Sequence, residues 1–378
     1  MTARMRVCHL VHHLNLGGIQ TQLLRMIEAS DPDTVAHTVC YPGVVHDLRE
    51  EFEDAGVRVV TFETGADDPL NQFRPGFLRE LTAFLRRESF DVLHCHSPQY
   101  LLVVGRVCGR LAGLPVVCTY HNVSDAFDPR LRPFERLTRP LSAVSVGVSK
   151  EVERTFAGSA ELYPRTGSPL DRRTYTVYNG IDVEGFSGQI RQADTAGLRS
   201  EYGIDDEVVF LTIGRYTEKK NQLGLIDAMG DVVESLPDAR LFVVGHGVLE
   251  DDLRRAVADR NLDGNVVITG RVPSVEEYYA LADVFVLPSL TEGLSVVLLE
   301  AMASGLPVVA TAEVVVDGET GYVVPLEDRT ELARAMERLG ADDRRERFGQ
   351  NGFERVRDTF SIQRTVDSYL DIYRRASA

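Results

Sequence analysis

Short apolar runs alternate with longer amphipathic stretches along the whole chain, and this alternation restricts the possible folds more than any other feature. Val7–Val11, Val57–Thr61, Asp91–Cys95, Val116–Tyr120 and Ala143–Ser149 read as strands. Ile19–Glu28, Phe77–Arg87 and Leu101–Leu111 carry the apolar spacing of helices between them. The second half repeats the style with Val208–Gly214, Leu241–Gly245, Val266–Gly270, Val284–Leu287, Val308–Thr311 and Tyr322–Val324. Continuous apolar strands alternating with helices imply parallel sheets covered on both faces. Two such halves predict two doubly wound α/β domains. Gly, Asp and Ser cluster over Asn179–Gln192, the expected junction. The expected division is residues 1–185, residues 186–355, and a C-terminal helix over 356–378 that returns to the first domain.

Charge narrows the function classes. The chain carries 41 basic and 57 acidic residues, a net charge of −16, which argues against a nucleic-acid partner. Residues 1–186 hold 20 basic and 23 acidic groups, and residues 187–378 hold 21 and 34. Only Lys150, Lys219 and Lys220 are lysines; such a bias fits a GC-rich genome or a salty cytoplasm. Cys8, Cys40, Cys95, Cys108 and Cys118 have apolar surroundings and no C-x-x-C spacing, so buried reduced thiols are expected. No apolar run reaches the roughly 18 residues of a membrane span. The N-terminal apolar stretch is broken by His9 and reads as a first strand, not a signal peptide. A cytoplasmic enzyme is expected.

In open α/β sheets ligands bind beyond the carboxyl ends of the strands, so the loops there matter most; with two domains, the cleft between them is the expected site. Asn15-Leu16-Gly17-Gly18-Ile19 follows the first strand. Its Gly pair opens a helix, which suits an anion or simply a tight turn, and it lacks the dinucleotide G-x-G-x-x-G. Gly214-Arg215-Tyr216-Thr217-Glu218-Lys219-Lys220-Asn221 places two of the three lysines and an arginine at one strand end. That concentration in an acidic half points to an anionic ligand. Glu292 and Glu300 stand about two helical turns apart around an expected helix start. Glu300 lies in an apolar helix, where a carboxylate needs hydroxyl or N–H partners.

These segments resemble the retaining family-four glycosyltransferases of the GT-B fold. Asn179-Gly180-Ile181-Asp182, Val92-Leu93-His94-Cys95-His96-Ser97, Val148-Ser149-Lys150 and Asp317-Gly318-Glu319-Thr320-Gly321 extend the resemblance over almost the whole chain, in order. It implies two Rossmann-like domains facing across a cleft and transfer of a sugar from a UDP- or GDP-linked donor. The acceptor would be a glycan, a lipid-linked group or a small molecule. Arg215 and Lys220 would bind the donor diphosphate, with Lys219 and Gly214 beside them. Glu300 would hold the ribose hydroxyls, and Glu292 the transferred sugar. The amides of Gly293, Leu294, Ser295 and Val296 would line the phosphate and sugar pocket. Arg271 and Val272 would face the base, and Gly17 and Gly18 the phosphates. His121 would sit near the reacting sugar, completing a catalytic set with Glu292, Arg215 and Lys220. His96, Ser149 and Asn179 would lie on the acceptor side.

No metal cofactor is expected. Asp31-Pro32-Asp33 reads as a turn, and fixed cations with helix N–H groups can stabilise a departing diphosphate. His94, His96 and His121 fall at strand ends, but no carboxylate or Cys spacing supports a metal; His94 reads as structural. After Thr311 the family's Gly-containing loop is shortened, and Glu313 stands where its Glu would be. A sugar-nucleotide epimerase or a homologue that binds without turnover would carry some of the same features. Residues 126–150 hold five basic groups and two acidic ones, with Phe127, Leu131, Phe134 and Leu137 interleaved. That pattern suits an anionic membrane surface, and equally an ordinary surface helix with its charges paired.

Overall fold

The computed structural model describes residues 4–15, 17–43, 47–62, 73–123, 128–164, 173–341 and 344–378. Leu16 of the first Gly loop and Phe127 of the basic stretch lie outside them. The chain divides into two units, Met1–Gly180 with Ile362–Ala378, and Ile181–Ser361.

Among the described residues the first unit is built on β1 (Met5–Leu10), β2 (Val35–Pro42), β3 (Arg58–Phe62), β4 (Val92–His96), β5 (Val116–Tyr120), β6 (Val144–Gly147) and β7 (Thr174–Thr176). They pair in parallel in the order β3-β2-β1-β4-β5-β6-β7. The sequence reading did not anticipate β2 or β7. In β2, His37 and Thr38 interrupt the apolar run, and β7 has three residues.

The second unit holds β8 (Val209–Ile213), β9 (Arg240–Val244), β10 (Val266–Gly270), β11 (Val284–Leu287), β12 (Val308–Ala310) and β13 (Gly321–Val323). Their order is β10-β9-β8-β11-β12-β13, again parallel. β8, β11 and β12 are buried at every position, as strands covered on both faces must be. In each sheet the strand order reverses at one place, between β1 and β4 and between β8 and β11. The carboxyl ends there form the crevice in which doubly wound folds take ligands.

The C-terminal helix Ile362–Ser377 belongs to the first unit. Ile362, Val366, Tyr369, Ile372 and Tyr373 join the core of that unit. Polar contacts fix the helix in register. Tyr373 Oη pairs with His94 Nδ1 at 2.6 Å, and Tyr369 Oη with Thr119 Oγ1 at 2.9 Å. Tyr163 donates to Asp371 at 2.9 Å, and Thr365 donates to the Tyr178 carbonyl at 2.9 Å. The five cysteines are free and buried.

Candidate active site

In the second unit, three loops at the carboxyl edge are stitched together by backbone. Gly214 donates to Val244, Tyr216 to His246, and Gly245 to Gly270, at 2.9, 2.9 and 3.1 Å. A Cβ on Gly245 would strike the Gly214 carbonyl, and one on Gly247 the backbone of Tyr216, so close approach excludes side chains there. Tyr216 is fully buried and donates its hydroxyl to the Val243 carbonyl at 2.8 Å. This scaffold sets Arg215 at the surface, with its carbonyl held by Gln222 at 3.0 Å.

The short helix Glu218–Lys220 carries both lysines. Leu290, after β11, donates to the Lys219 carbonyl at 2.8 Å, tying the β8 loop to the β11 loop. Lys220 Nζ forms an ion pair with Glu292, each side chain 21% exposed. Two residues placed by sequence at the diphosphate and at the sugar are therefore direct partners. Lys219 is exposed beside them.

Glu292 precedes the helix Val296–Ala303, and Glu300 lies inside it, 8% exposed. Leu298, Leu299, Ala301, Met302 and Ala303 are the buried apolar residues of this helix, and Ser295 stands at its N-cap. In the first turn the Leu298 N–H donates to the Ser295 carbonyl at 3.2 Å, while the earlier amides precede any intrahelical acceptor. Ser289 and Ser295 have buried hydroxyl oxygens without a hydrogen-bond partner among the described residues. Tyr279 donates to Glu300 Oε2 at 3.2 Å and to the Val297 carbonyl at 3.1 Å. Sequence reasoning missed Tyr279; the helical apolar spacing of Glu276–Leu281 was its signal. Arg271 pairs with His246 Nε2 at 2.9 Å, and Val272 is half-buried next to it.

The loop after β12 is short and packed. Val314 and Val315 are buried, Arg355 donates to the Val314 carbonyl at 2.7 Å, and the Val316 N–H donates to Thr320 Oγ1 at 2.9 Å. Glu313 is exposed on it.

In the first unit, Gly17 caps the helix Gly18–Glu28 in an extended conformation, and a Cβ on Gly18 would meet nothing within 4 Å. Open space therefore borders that helix start. Asp31 closes a turn by accepting from the Asp33 N–H at 2.9 Å, as read from sequence. His121 follows β5 and takes its backbone N–H to Ser97 Oγ at 3.2 Å. It lines a small pocket with His96, Gln22, Asn179, Thr365 and Tyr369. Ser149 is fully buried, and its hydroxyl caps the helix Lys150–Ala157 by accepting from Val152 N at 3.1 Å.

His9, His94 and His96 bring ring nitrogens within 4.8 Å of one another. Each of these nitrogens already has a protein partner. His94 pairs with Tyr373 and Thr119, His9 with His96 and His37, and His96 with His9 and His121. The cluster is a hydrogen-bonded network. Burial pulls His9, His94 and His96 well below the ordinary histidine range, and pulls His37 and His121 down to about 4. All five are neutral near pH 7. Sequence reading singled out His94, His96 and His121 but not His9 or His37, whose partners lie on other strands.

The basic stretch is partly self-neutralised. Arg130 pairs with Asp128 at 2.8 Å and Arg139 with Glu135 at 2.5 Å. Glu135 also accepts from the fully buried Arg106 at 3.2 Å. Phe134, Leu137 and Leu141 remain exposed, Leu137 at 77%.

Comparison with known proteins gives the same answer for both halves. Residues 16–184 match the sequence profile of Glycosyltransferase Family 4, and residues 207–342 that of Glycosyl transferases group 1. The UDP-Gal:alpha-D-GlcNAc-diphosphoundecaprenol alpha-1,3-galactosyltransferase of Escherichia coli is 27% identical over 310 residues, 78% of each chain. The phosphatidyl-myo-inositol mannosyltransferase of Mycobacterium tuberculosis is 29% identical over 331 residues, 85% of this chain and 82% of that one. In fold, the Anabaena protein Alr3699/HepE, solved in complex with UDP, superimposes with a TM-score of 0.80 at 20% identity, covering 97% and 98% of the two chains. Matched in both halves and aligned to named transferases over most of its length, the chain belongs to the family-four, group 1 glycosyltransferases and has the GT-B fold.

Proposed function

We propose that this enzyme moves a sugar from a UDP- or GDP-linked donor to a lipid-linked or other glycan acceptor, with retention and without a metal. The observation that carries this reading is the carboxyl edge of β8 and β11. There Arg215, Lys219 and the Lys220–Glu292 pair lie with the Val296–Ala303 helix start and the Glu300 carboxylate. A nucleoside diphosphate needs those groups: cations and N–H donors for phosphate, and a carboxylate for ribose hydroxyls.

The bond from the anomeric carbon to the donor phosphate oxygen breaks, and the diphosphate leaves with the electron pair. Arg215 and Lys220 neutralise the charge that develops. An acceptor hydroxyl attacks from the same face, and its proton passes to the leaving phosphate oxygen. Glu292 steadies Lys220 and accepts from sugar hydroxyls. Glu300, oriented by Tyr279, accepts from the ribose. His121, which the resemblance assigns to the reacting sugar, is neutral at working pH. The names of the two relatives, which act on a diphosphoundecaprenol-linked sugar and on phosphatidyl-myo-inositol, support a lipid-borne acceptor. Exposed Phe134 and Leu137 beside Arg132 and Arg136 suit the inner face of an anionic membrane. No helix among the described residues is long and apolar enough to cross one.

The test is transfer from UDP- and GDP-sugars to a set of lipid-linked acceptors in the presence of a chelator, with the anomeric configuration of the product read by NMR. Chelator-resistant transfer with retention is expected. An inverted product, or activity restored only by added metal, would contradict the reading.

A further inference from the structure

Four histidines from four consecutive positions of the first sheet stand in line. His37 on β2 pairs through Nδ1 with His9 Nε2 on β1 at 2.9 Å. His9 Nδ1 pairs with His96 Nε2 on β4 at 3.2 Å, and His96 Nδ1 with His121 Nε2, just after β5, at 3.2 Å. His94 stacks against His96 with ring centroids 4.1 Å apart, but its nitrogens are held by Tyr373 and Thr119, so it stands beside the line.

A neutral imidazole has one N–H and one lone pair. Three hydrogen bonds among four neutral rings fix three protons, and the fourth N–H must sit at one end. The four tautomers are therefore set together, in one of two directions. At the His37 end, Nε2 is buried without a partner among the described residues. A buried N–H without an acceptor is the rarer and costlier arrangement, so the bare lone pair belongs there. At the other end, His121 borders the pocket it shares with Gln22, Asn179 and Tyr369. Burial keeps every ring in the line neutral near pH 7, which the scheme requires.

We propose that His37, His9 and His96 form a tautomer relay that holds His121 in its Nδ1–H form, making it a neutral hydrogen-bond donor toward the pocket. The three are positioning residues. His96 also lines the pocket, but both its ring nitrogens are engaged in the line, so His121 is the ring that meets the ligand; that this ligand is a sugar donor rests on the glycosyl-transfer reading. The relay itself does not.

The experiment uses the full chain with 15N-labelled histidine and long-range proton–nitrogen correlation spectra near neutral pH. His121→Gln assigns the resonance. In the wild type, His121 is expected to carry its proton on Nδ1. His37→Asp puts an obligate acceptor where His37 donates, so the line reverses and His121 moves to the Nε2–H form. His37→Asn, of the same size but able to donate, keeps Nδ1–H. Transfer by His37→Asp is expected to fall about tenfold in kcat with little change in donor KM, the loss of one hydrogen bond in the transition state. An Nε2–H tautomer at His121 in the wild type overturns the relay without any variant. So does an unchanged His121 in His37→Asp. The spectra need no turnover, so absent transfer activity would count against the functional reading and not against the relay.

Discussion

On the proposed reading, Lys220 and Glu292 are the residues on which phosphate binding and sugar binding meet. Removing Lys220 takes a charge-assisted contact from the diphosphate. Lys220→Ala should weaken nucleoside diphosphate binding by about 10- to 100-fold in titration calorimetry. Glu292→Gln keeps the cation and should bind the free nucleotide at least as well while losing transfer rate. Equal loss of affinity in both variants would show that the pair acts only as a structural bridge. The histidines give a second prediction at this scale. His37 and His121 titrate near 6.5 in the unfolded chain and near 4 in the folded one. Between those values the unfolded state binds more protons, so stability falls as pH drops from 6.5 toward 4 and is unaffected above that window. A shift of that size is worth up to about 3 kcal/mol per group. Urea midpoints at the two ends of the window should show it, with a shallower slope in His121→Gln. The arginine–lysine loop and the glutamate pair were legible because each is contiguous in sequence. Tyr279 behind Glu300 and His37 behind His9 were not, because partnership between elements leaves no local pattern.

Elements were legible where burial dictates composition. β8, β11 and β12 are buried throughout and, Thr212 aside, apolar, and were read close to their limits. β2 was missed because a strand that carries His37 into a polar line no longer looks apolar. The buried cluster around the helix Arg132–Thr138 was equally hidden. Arg106 reaches Glu135, Ser142 and Tyr120 from another helix, and the side chain is 0% exposed. Taking away the arginine leaves Glu135 its Arg139 partner but empties a fully buried site and removes a donor from Ser142, Tyr120 and Glu135, so Arg106→Ala should cost about 2–4 kcal/mol in denaturant unfolding. A cost under about 1 kcal/mol would mean that water reaches Glu135. Ser149 is a simpler case: Ser149→Ala removes one helix cap and should cost about 1 kcal/mol. A larger loss of transfer than of stability in that variant would show an acceptor role beyond the cap.

At the scale of the whole molecule, the two repeats of strand and helix announced two α/β units, and the last helix completes the first of them. Val366, Tyr369, Ile372 and Tyr373 are buried there, and each such side chain contributes roughly 1.5–3 kcal/mol. Removal of residues 362–378 should therefore unfold the first unit, read as loss of its cooperative thermal transition. Sequence could not show how the shortened loop after β12 packs, because Val314 and Val315 find their burial only in the folded second unit. The account stands or falls on what that second unit binds. The most direct measurement is calorimetric titration of the intact chain with UDP and with GDP, with chelator present, repeated on Arg215→Ala and Glu300→Ala. The account predicts binding of one nucleotide, at least tenfold weaker in both variants. Binding of neither nucleotide, or binding untouched by both substitutions, would contradict it.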